Sequence, residues 1–316
     1  MPTDNRYLGR PVYVQKADMA LADIVGAGKL VADQRKRFIL VNIQGQVVMS
    51  RVRVTTLKRE SEQIPKMTTF GTQVLYPGTE SQALTLAQRS TPGFDLVTLT
   101  SQEVVAQVDY PRFVLKDQVE GPRFHNTMIG YLGLHTKLDF EKLICNGDTT
   151  SANTLLAMFD GIIADSTTNT YAAGAVANSS TVLAATISTM PSEFRHQPNL
   201  VFFTNEVAHD AYWAELEARA TGLGDKMIEN WGALAYRGKK LIEVPVFPNG
   251  LGGGLNETVI QYMDPKQFIF AFHEDVELQS EYNIRERVWT VVITARVAQG
   301  FEHEPSVVKS TGVLGA

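Results

Sequence analysis

The sequence is short of the residues from which covalent or metal-based stability is built. Cys145 is its only cysteine, which excludes an intrachain disulfide and a multi-cysteine zinc site and leaves stability to packing and association. No apolar run approaches the roughly 20 residues that cross a bilayer. The opening MPTDNRYLGR also lacks the apolar stretch of a secretory leader, so the chain is expected to stay in the cytoplasm where it is made. Nor is there an excess of positive charge. A formal net charge of -5 argues against a dedicated nucleic-acid binder, which neutralises phosphates with a basic surface. No repeat of fixed period is visible, which argues against a solenoid or propeller.

The motifs of common chemistries are missing as well. His273-Glu274-Asp275 and His303-Glu304 contain metal-ligand types. The first three are consecutive, so their side chains diverge, and no HExxH pair exists. GLGGG lacks the Gly-Lys-Ser/Thr continuation of a phosphate loop. Ser101, Ser180 and Ser192 stand in no G-x-S-x-G context. Cys145 has no obvious histidine partner and reads as a small buried apolar side chain. No catalytic residue, metal or cofactor is assigned.

What is present is a globular composition. Of 316 residues, 44% are hydrophobic and 20% charged, enough for one sizeable core or two. The charge is unevenly distributed. Lys29, Arg35, Lys36, Arg37, Arg51, Arg53, Lys58 and Arg59 face a single acid, Asp33, within 29–59. Within 273–287, Glu274, Asp275, Glu277, Glu281 and Glu286 outnumber Arg285 and Arg287. Either copies of the chain meet head to tail through these stretches, or both are simply solvated.

Along the chain, residues 1–37 read as an extended arm with one short helical pattern cut by Gly26 and Gly28. Residues 38–57 (FILVNIQGQVVMSRVRVTTL) are rich in β-branched residues and favour strands. Residues 58–93 are polar and punctuated by Pro65, Pro77, Gly78, Pro92 and Gly93. A segment this long without an apolar face of its own is either disordered or a projecting two-stranded limb, and its strand-like pieces favour the limb. Residues 94–149 contain two strand runs, with Phe94, Leu96, Thr98 and Thr100 and then Val104, Ala106, Val108 and Tyr110 alternating. A helix follows on Phe124, Met128, Tyr131, Leu134 and Leu138, stopping at Asn146-Gly147.

Residues 150–272 read as an α/β lobe: low-complexity loops to about 179, a helix over 180–194, the buried strand NLVFFT, the helix EVAHDAYWAELEARA, and the strands GKKLIEVPVF and ETVIQYM. Residues 273–316 return to sheet, alternating on Val276, Leu278, Ser280 and Tyr282 and on Trp289, Val291, Ile293, Ala295 and Val297. The tail EPSVVKSTGVLGA has no assigned core role.

In their order, these parts resemble the major capsid protein family of tailed bacteriophages, whose fold encapsulins share. SEQIPKMTTFGTQVLYPGTE is similar to the start of that family's extended E-loop, and FDLVTLTSQEVVAQVDYPRFVL to the strand pair leaving it. EGPRFHNTMIGYLGLHTKLDFEKLICNGD is similar to the spine helix of the peripheral P-domain. FDGIIA, NLVFFTNEVAHDAYWAELE and GKKLIEVPVF resemble steps of the axial A-domain, and VIQYMDPKQFIFAFHEDVELQSEYNIRERVWTVVITARVAQGFEHEPSVVK the return and terminal segment. The resemblance covers most of the chain.

It implies an α+β fold divided as N-terminal arm 1–37, P-domain strand region 38–57, E-loop 58–93, P-domain strands and spine helix 94–149, A-domain 150–272, and P-domain return strands with the C-terminus 273–316. It also implies a non-enzymatic protein that self-assembles into pentamers and hexamers of an icosahedral or prolate shell around double-stranded viral DNA. The virion capsid would be its location and the host bacterial cytoplasm its place of assembly.

The implied partners are many copies of itself, a portal, a scaffolding protein and a decoration protein, with DNA contacted non-specifically and no membrane. Many members carry a long cleaved N-terminal scaffolding segment. Here the chain moves from Met1 almost directly to arm and sheet, which points to a separate scaffolding protein or none.

Inter-subunit contacts are expected from Arg35, Lys36, Arg37, Lys66, Phe70, Tyr76, Glu80, Arg89, Glu120, Arg123, Glu277 and Glu281. Gly250, Gly252, Gly253 and Gly254 are expected in a loop at the capsomer axis, or in an ordinary surface loop. Some members join an E-loop Lys to an Asn by an isopeptide bond. Lys66 offers the amine, but no Asn or acid partner matches, so no cross-link is assigned. An encapsulin enclosing enzyme cargo and an α/β enzyme with a β-rich insert are the competing readings.

Overall fold

The computed structural model describes residues 46–67, 74–78, 80–89, 93–114, 123–218, 234–251 and 256–315. In chain order the strands are β1 (Arg53–Thr56), β2 (Ser61–Met67), β3 (Phe94–Thr100), β4 (Gln102–Pro111), β5 (Thr170–Ala177), β6 (Val201–Thr204), β7 (Ala235–Tyr236), β8 (Lys239–Glu243), β9 (Glu257–Met263), β10 (Phe268–Asn283), β11 (Val288–Phe301) and β12 (Val308–Leu314). The helices are α1 (Phe124–Asn146), α2 (Ile162–Asp165), α3 (Ser180–Thr189) and α4 (Glu206–Glu217). The strands form a four-stranded sheet, β1-β10-β11-β4, a six-stranded sheet, β5-β12-β9-β6-β8-β7, and the isolated pair β2-β3. The described residues divide into two compact units, one drawn from 103–137 and 276–295, the other from 44–102, 138–275 and 296–316. α1, β10 and β11 contribute residues to both.

The larger unit is built on the six-stranded sheet. β9 reads ETVIQYM and is buried almost throughout, as a central strand covered on both faces should be. Phe202, Leu241, Ile260, Tyr262 and Val308 share a core with Val182, Leu183 and Ile187 of α3 and with Ala208, Tyr212 and Leu216 of α4. Between Ile260 and Tyr262, Gln261 turns to the other face, where its Nε2 donates to the Ile162 carbonyl at 2.7 Å. Both α3 and α4 start on a side-chain cap. Asn205 Oδ1 accepts from the Val207 amide at 2.9 Å. At α3 the Glu215 carboxylate takes both the Ser180 amide, at 2.6 Å, and the Ser180 hydroxyl, at 2.7 Å.

Several expectations are corrected here. The helix expected over 180–194 stops at Thr189, because Pro191 forces the preceding Met190 into extended backbone (φ -66, ψ 135). The low-complexity stretch expected to be loop contains β5, paired in parallel with β12. Its small residues tolerate an irregular register in which Gly174 and Ala175 both have positive φ. The tail with no assigned role forms β12 itself, hydrogen-bonded between β5 and β9. Of 38–57, the part up to 45 lies outside the described residues, and 46–52 is turn and bend before the short β1. In β3 the inward residues are Val97 and Leu99, while Phe94, Leu96, Thr98 and Thr100 face outward.

α1 spans 23 residues, about 35 Å at roughly 1.5 Å per residue. It ends as expected at Asn146, where the Gly147 amide donates to the Leu143 carbonyl at 3.1 Å. Its C-terminal end is the buried one, through Phe140, Glu141, Leu143, Ile144 and Cys145, whereas Leu134 is 42% exposed. In the smaller unit, Tyr110 packs edge-on against Phe124 (5.9 Å) and hydrogen-bonds His125 Nδ1 through its hydroxyl. Burial pushes the Tyr110 phenol up to about 12. His125 and Tyr282 both pack on Trp289, at 5.4 and 5.3 Å.

Candidate functional site

The polar stretch after β1 is a ribbon. β2 and β3 pair antiparallel from Ser61↔Thr100 to Met67↔Phe94. Pro65 is tolerated because a two-stranded ladder consists of edges. Strand alternation gives the ribbon two faces. At its base Ile64 and Val97 pack on a cluster of Leu57, Leu99, Ile269, Ala271 and Ala298. On the other face of the ribbon Met67, Phe94 and Leu96 are exposed, Phe94 by 72%, and in the segment between the two strands Val74, Leu84 and Leu86 are exposed, Leu86 by 84%. Large apolar side chains left to water mark an interaction surface.

The ladder is fastened electrostatically near its Met67↔Phe94 end. Lys66 Nζ lies 3.3 Å from the Asp95 carboxylate across the ladder and donates to the Glu302 carbonyl at 3.3 Å. Arg53 pairs with the Glu302 carboxylate at 2.6 Å. The Asp95 carboxyl is held below its usual range by the Leu96 amide and then by Lys66. Pro65, Lys66, Met67, Phe194, Gln267 and His303 help line a cavity of about 740 Å³ beside this end.

A second surface lies in the smaller unit, at the hairpin joining β10 and β11. Val276, Leu278 and Ile284 are exposed there, Ile284 by 79%. They are interleaved with the exposed Glu277 and Glu281. Glu281, Tyr282, Ile284 and Arg285 line a shallow concavity of about 480 Å³. The turn is shaped by Asn283 Oδ1, which accepts from the Arg285 amide at 3.0 Å.

Of the contact residues expected from sequence, Arg35, Lys36, Arg37, Phe70 and Glu120, and of the glycines Gly252, Gly253 and Gly254, lie outside the described residues. Tyr76 is half-buried and Glu80 is exposed in a turn. Arg89 is exposed, its Nε donating to the Leu84 carbonyl at 3.2 Å. Arg123 is exposed at the start of α1. Glu277 accepts from Gln279 Nε2 at 3.4 Å. Gly250 has φ +86, and its amide and that of Leu251 both donate to the Glu257 carbonyl, closing the base of the expected axial loop. The structure thus places Lys66 on the ribbon, Tyr76, Glu80 and Arg89 in the segment between its two strands, and Glu277 and Glu281 on the hairpin.

Two functional elements were not found by sequence reasoning. The turn 302–304 ties down the ribbon through Lys66, and its only signal was charge, Glu302-His303-Glu304 between two strand runs. Glu141 is 2% exposed on α1. Its carboxylate accepts from the amides of Val47, Val48 and Met49 at 2.9, 2.6 and 2.9 Å. A lone acid at helical spacing from Leu138, Ile144 and Cys145 could have disclosed it. Burial, and then the charge of Glu141, push the Cys145 thiol well above its usual value, so this cysteine is no nucleophile. Among the described residues, no group of three or more His, Cys, Asp or Glu is placed to hold a metal ion, and no helix is long and apolar enough to cross a membrane.

Comparison with known proteins places this geometry in context. The model of the phage capsid family matches residues 27–309. A Bacillus subtilis (strain 168) protein described as a prophage capsid protein, YqbE, is 26% identical over 302 residues, spanning 94% of this chain and 96% of the relative. Among solved structures, the capsid of a native GTA particle superposes with a TM-score of 0.65 at 15% identity, covering 93% of this chain and 99% of that one. The SrpI encapsulin of Synechococcus elongatus PCC 7942 superposes with a TM-score of 0.60 at 11% identity, covering 94% and 96%.

Proposed function

The chain belongs to the phage capsid family, and from that premise we propose how its surfaces build a shell. It is a structural capsid protein that works as many copies of itself. The reading in detail is that these copies form pentamers and hexamers of an icosahedral or prolate capsid around double-stranded DNA. Within it, 1–37 acts as arm and 58–93 as extended loop. Residues 38–57, 94–149 and 273–307 act as peripheral domain, and 150–272, completed by β12, as axial domain.

The observation that carries this reading is the ribbon, which is anchored to the body of its unit and leaves Met67, Phe94 and Leu96 exposed, with Leu84 and Leu86 exposed in the segment between its strands. A ring contact alone closes into a capsomer and goes no further, so a shell needs a limb that reaches another subunit. An apolar limb of this kind gains its burial only on a neighbour. The acidic hairpin with Glu277 and Glu281 is the complementary surface for cations, among which Arg35, Lys36, Arg37, Lys58, Arg59 and Arg89 are assigned. Arg53 and Lys66 already pair within the chain. Gly250 and the three glycines after it form the axial tip.

A portal completes the particle, with a scaffolding protein or none and with or without a decoration protein, DNA is contacted without sequence readout, and assembly takes place in the host bacterial cytoplasm. Electron microscopy of the assembled chain tests the reading. Large angular shells with a portal vertex are expected; small cages filled with protein would shift it to the encapsulin alternative favoured by the SrpI likeness, and discrete small oligomers would refute both.

A further inference from the structure

The short link between β11 and β12, residues 302–304, ties the ribbon to the body of the larger unit. Arg53 of β1 reaches Glu302 Oε2 at 2.6 Å, and Lys66 of β2 donates to the Glu302 carbonyl at 3.3 Å. The Glu302 amide donates to the Gln267 carbonyl at 2.8 Å. Two residues on, the Glu304 carboxylate accepts from the amides of Thr167 and Thr168 at 2.8 and 2.7 Å. Between these two fastened residues sits His303. It is half-buried, its ring is edge-on to Phe194 at 5.1 Å, and it lines the same cavity as Lys66.

We propose that His303 is a proton-operated clasp for the ribbon: when neutral it lets Lys66 rest on the neighbouring Glu302 carbonyl, and when protonated it drives the Lys66 ammonium away and loosens the ladder of β2 and β3 at its Lys66↔Asp95 end. The charged groups around it are Lys66 from β2, Asp95 from β3 acting through Lys66, Arg53 from β1 held on Glu302, Glu193 from the connection after α3, and Glu302 and Glu304 of its own link. Burial, and then Lys66, hold the imidazole below its ordinary 6.5, while the two flanking glutamates act in the opposite direction.

Asp95 is held below 3.8, so it stays ionised while His303 titrates. Lys66 then keeps its cross-strand partner as it leaves the body, and the ribbon moves as an intact ladder. The sign follows from linkage. A histidine harder to protonate folded than unfolded contributes fully above about 6.5, and that contribution is lost as pH falls through the folded value.

Hydrogen exchange measured by mass spectrometry on the full chain, corrected for intrinsic rates, tests the clasp. Between about pH 7.5 and about pH 5, protection of the Ser61–Met67 amides should fall. It should stay level in His303→Gln and in Lys66→Met, with Glu257–Met263 unchanged throughout. An equal acid loss in either variant, or none in the native chain, overturns the proposal. Should His303→Gln misfold, Lys66→Met alone decides, because it removes the repelled charge and leaves the imidazole in place.

Discussion

Glu141 shows how one residue can organise a segment far from it in sequence. Its two carboxylate oxygens serve three consecutive amides of 47–49, and an ionised acceptor strengthens each bond. Removing it strands buried donors at about 1–3 kcal/mol each. Glu141→Ala should therefore lose about 3 kcal/mol or more in urea unfolding of the unassembled chain, and Glu141→Gln, which keeps one acceptor oxygen, should lose less. Asp165 behaves oppositely. Burial raises its carboxyl above 3.8, with Asp160 and Glu304 adding to the effect and the Phe301 amide opposing it. The folded chain then holds this proton over a pH range where the unfolded chain has released it, so stability falls as pH rises through that window. Asp165→Asn should raise the melting temperature near pH 7, with the gain vanishing below about pH 4. Gly161 is fixed by close approach, not by an unusual φ. A Cβ there would lie 2.7 Å from the Gly147 nitrogen and the Ile144 carbonyl oxygen, and those backbone atoms cannot yield.

Among the elements, the ribbon departs most from ordinary packing. Its base belongs to a buried cluster around Leu99, so the fold needs that end. The side chains of Phe94, 72% exposed, and of Leu86 in the segment between the strands, 84% exposed, are left to water in the single chain. Leu86→Ser with Phe94→Ser should shift the stability of the unassembled chain by no more than about 0.5 kcal/mol, as surface changes do. The same pair should abolish shell formation, read by sedimentation. Normal shells from this double variant would remove the ribbon from the assembly contact. Polarity and proline punctuation made the limb legible in the sequence. The faces were not, because strand alternation leaves two choices, and here Val97 and Leu99 turn inward in place of Phe94 and Leu96.

Across the whole molecule, the uneven charge is the feature most suited to fixing register between copies, since complementary potentials select partners and orientation more than they add affinity. Reversing Glu277 and Glu281 to lysine together should lower shell yield and make assembly more sensitive to salt, measured by light scattering at two ionic strengths. Unchanged yield and salt response would free the hairpin of this role. The reversal should not disturb folding, because both side chains are exposed and make no buried contact.

By itself the sequence determined that no intrachain disulfide can form, the order of ribbon, long helix, α/β lobe and return strands, and the end of α1 at Asn146. Each of these depends on local composition, spacing or capping that a single segment carries. Tertiary structure alone decided that the tail would be β12 between β5 and β9, that small-residue text would form β5, and that Glu141 and the 302–304 link would hold distant segments. A strand's place in a sheet and a carboxylate's choice of amides depend on partners far off in the chain, Tyr262 for Val308 and Val47 for Glu141, which no local window of sequence contains.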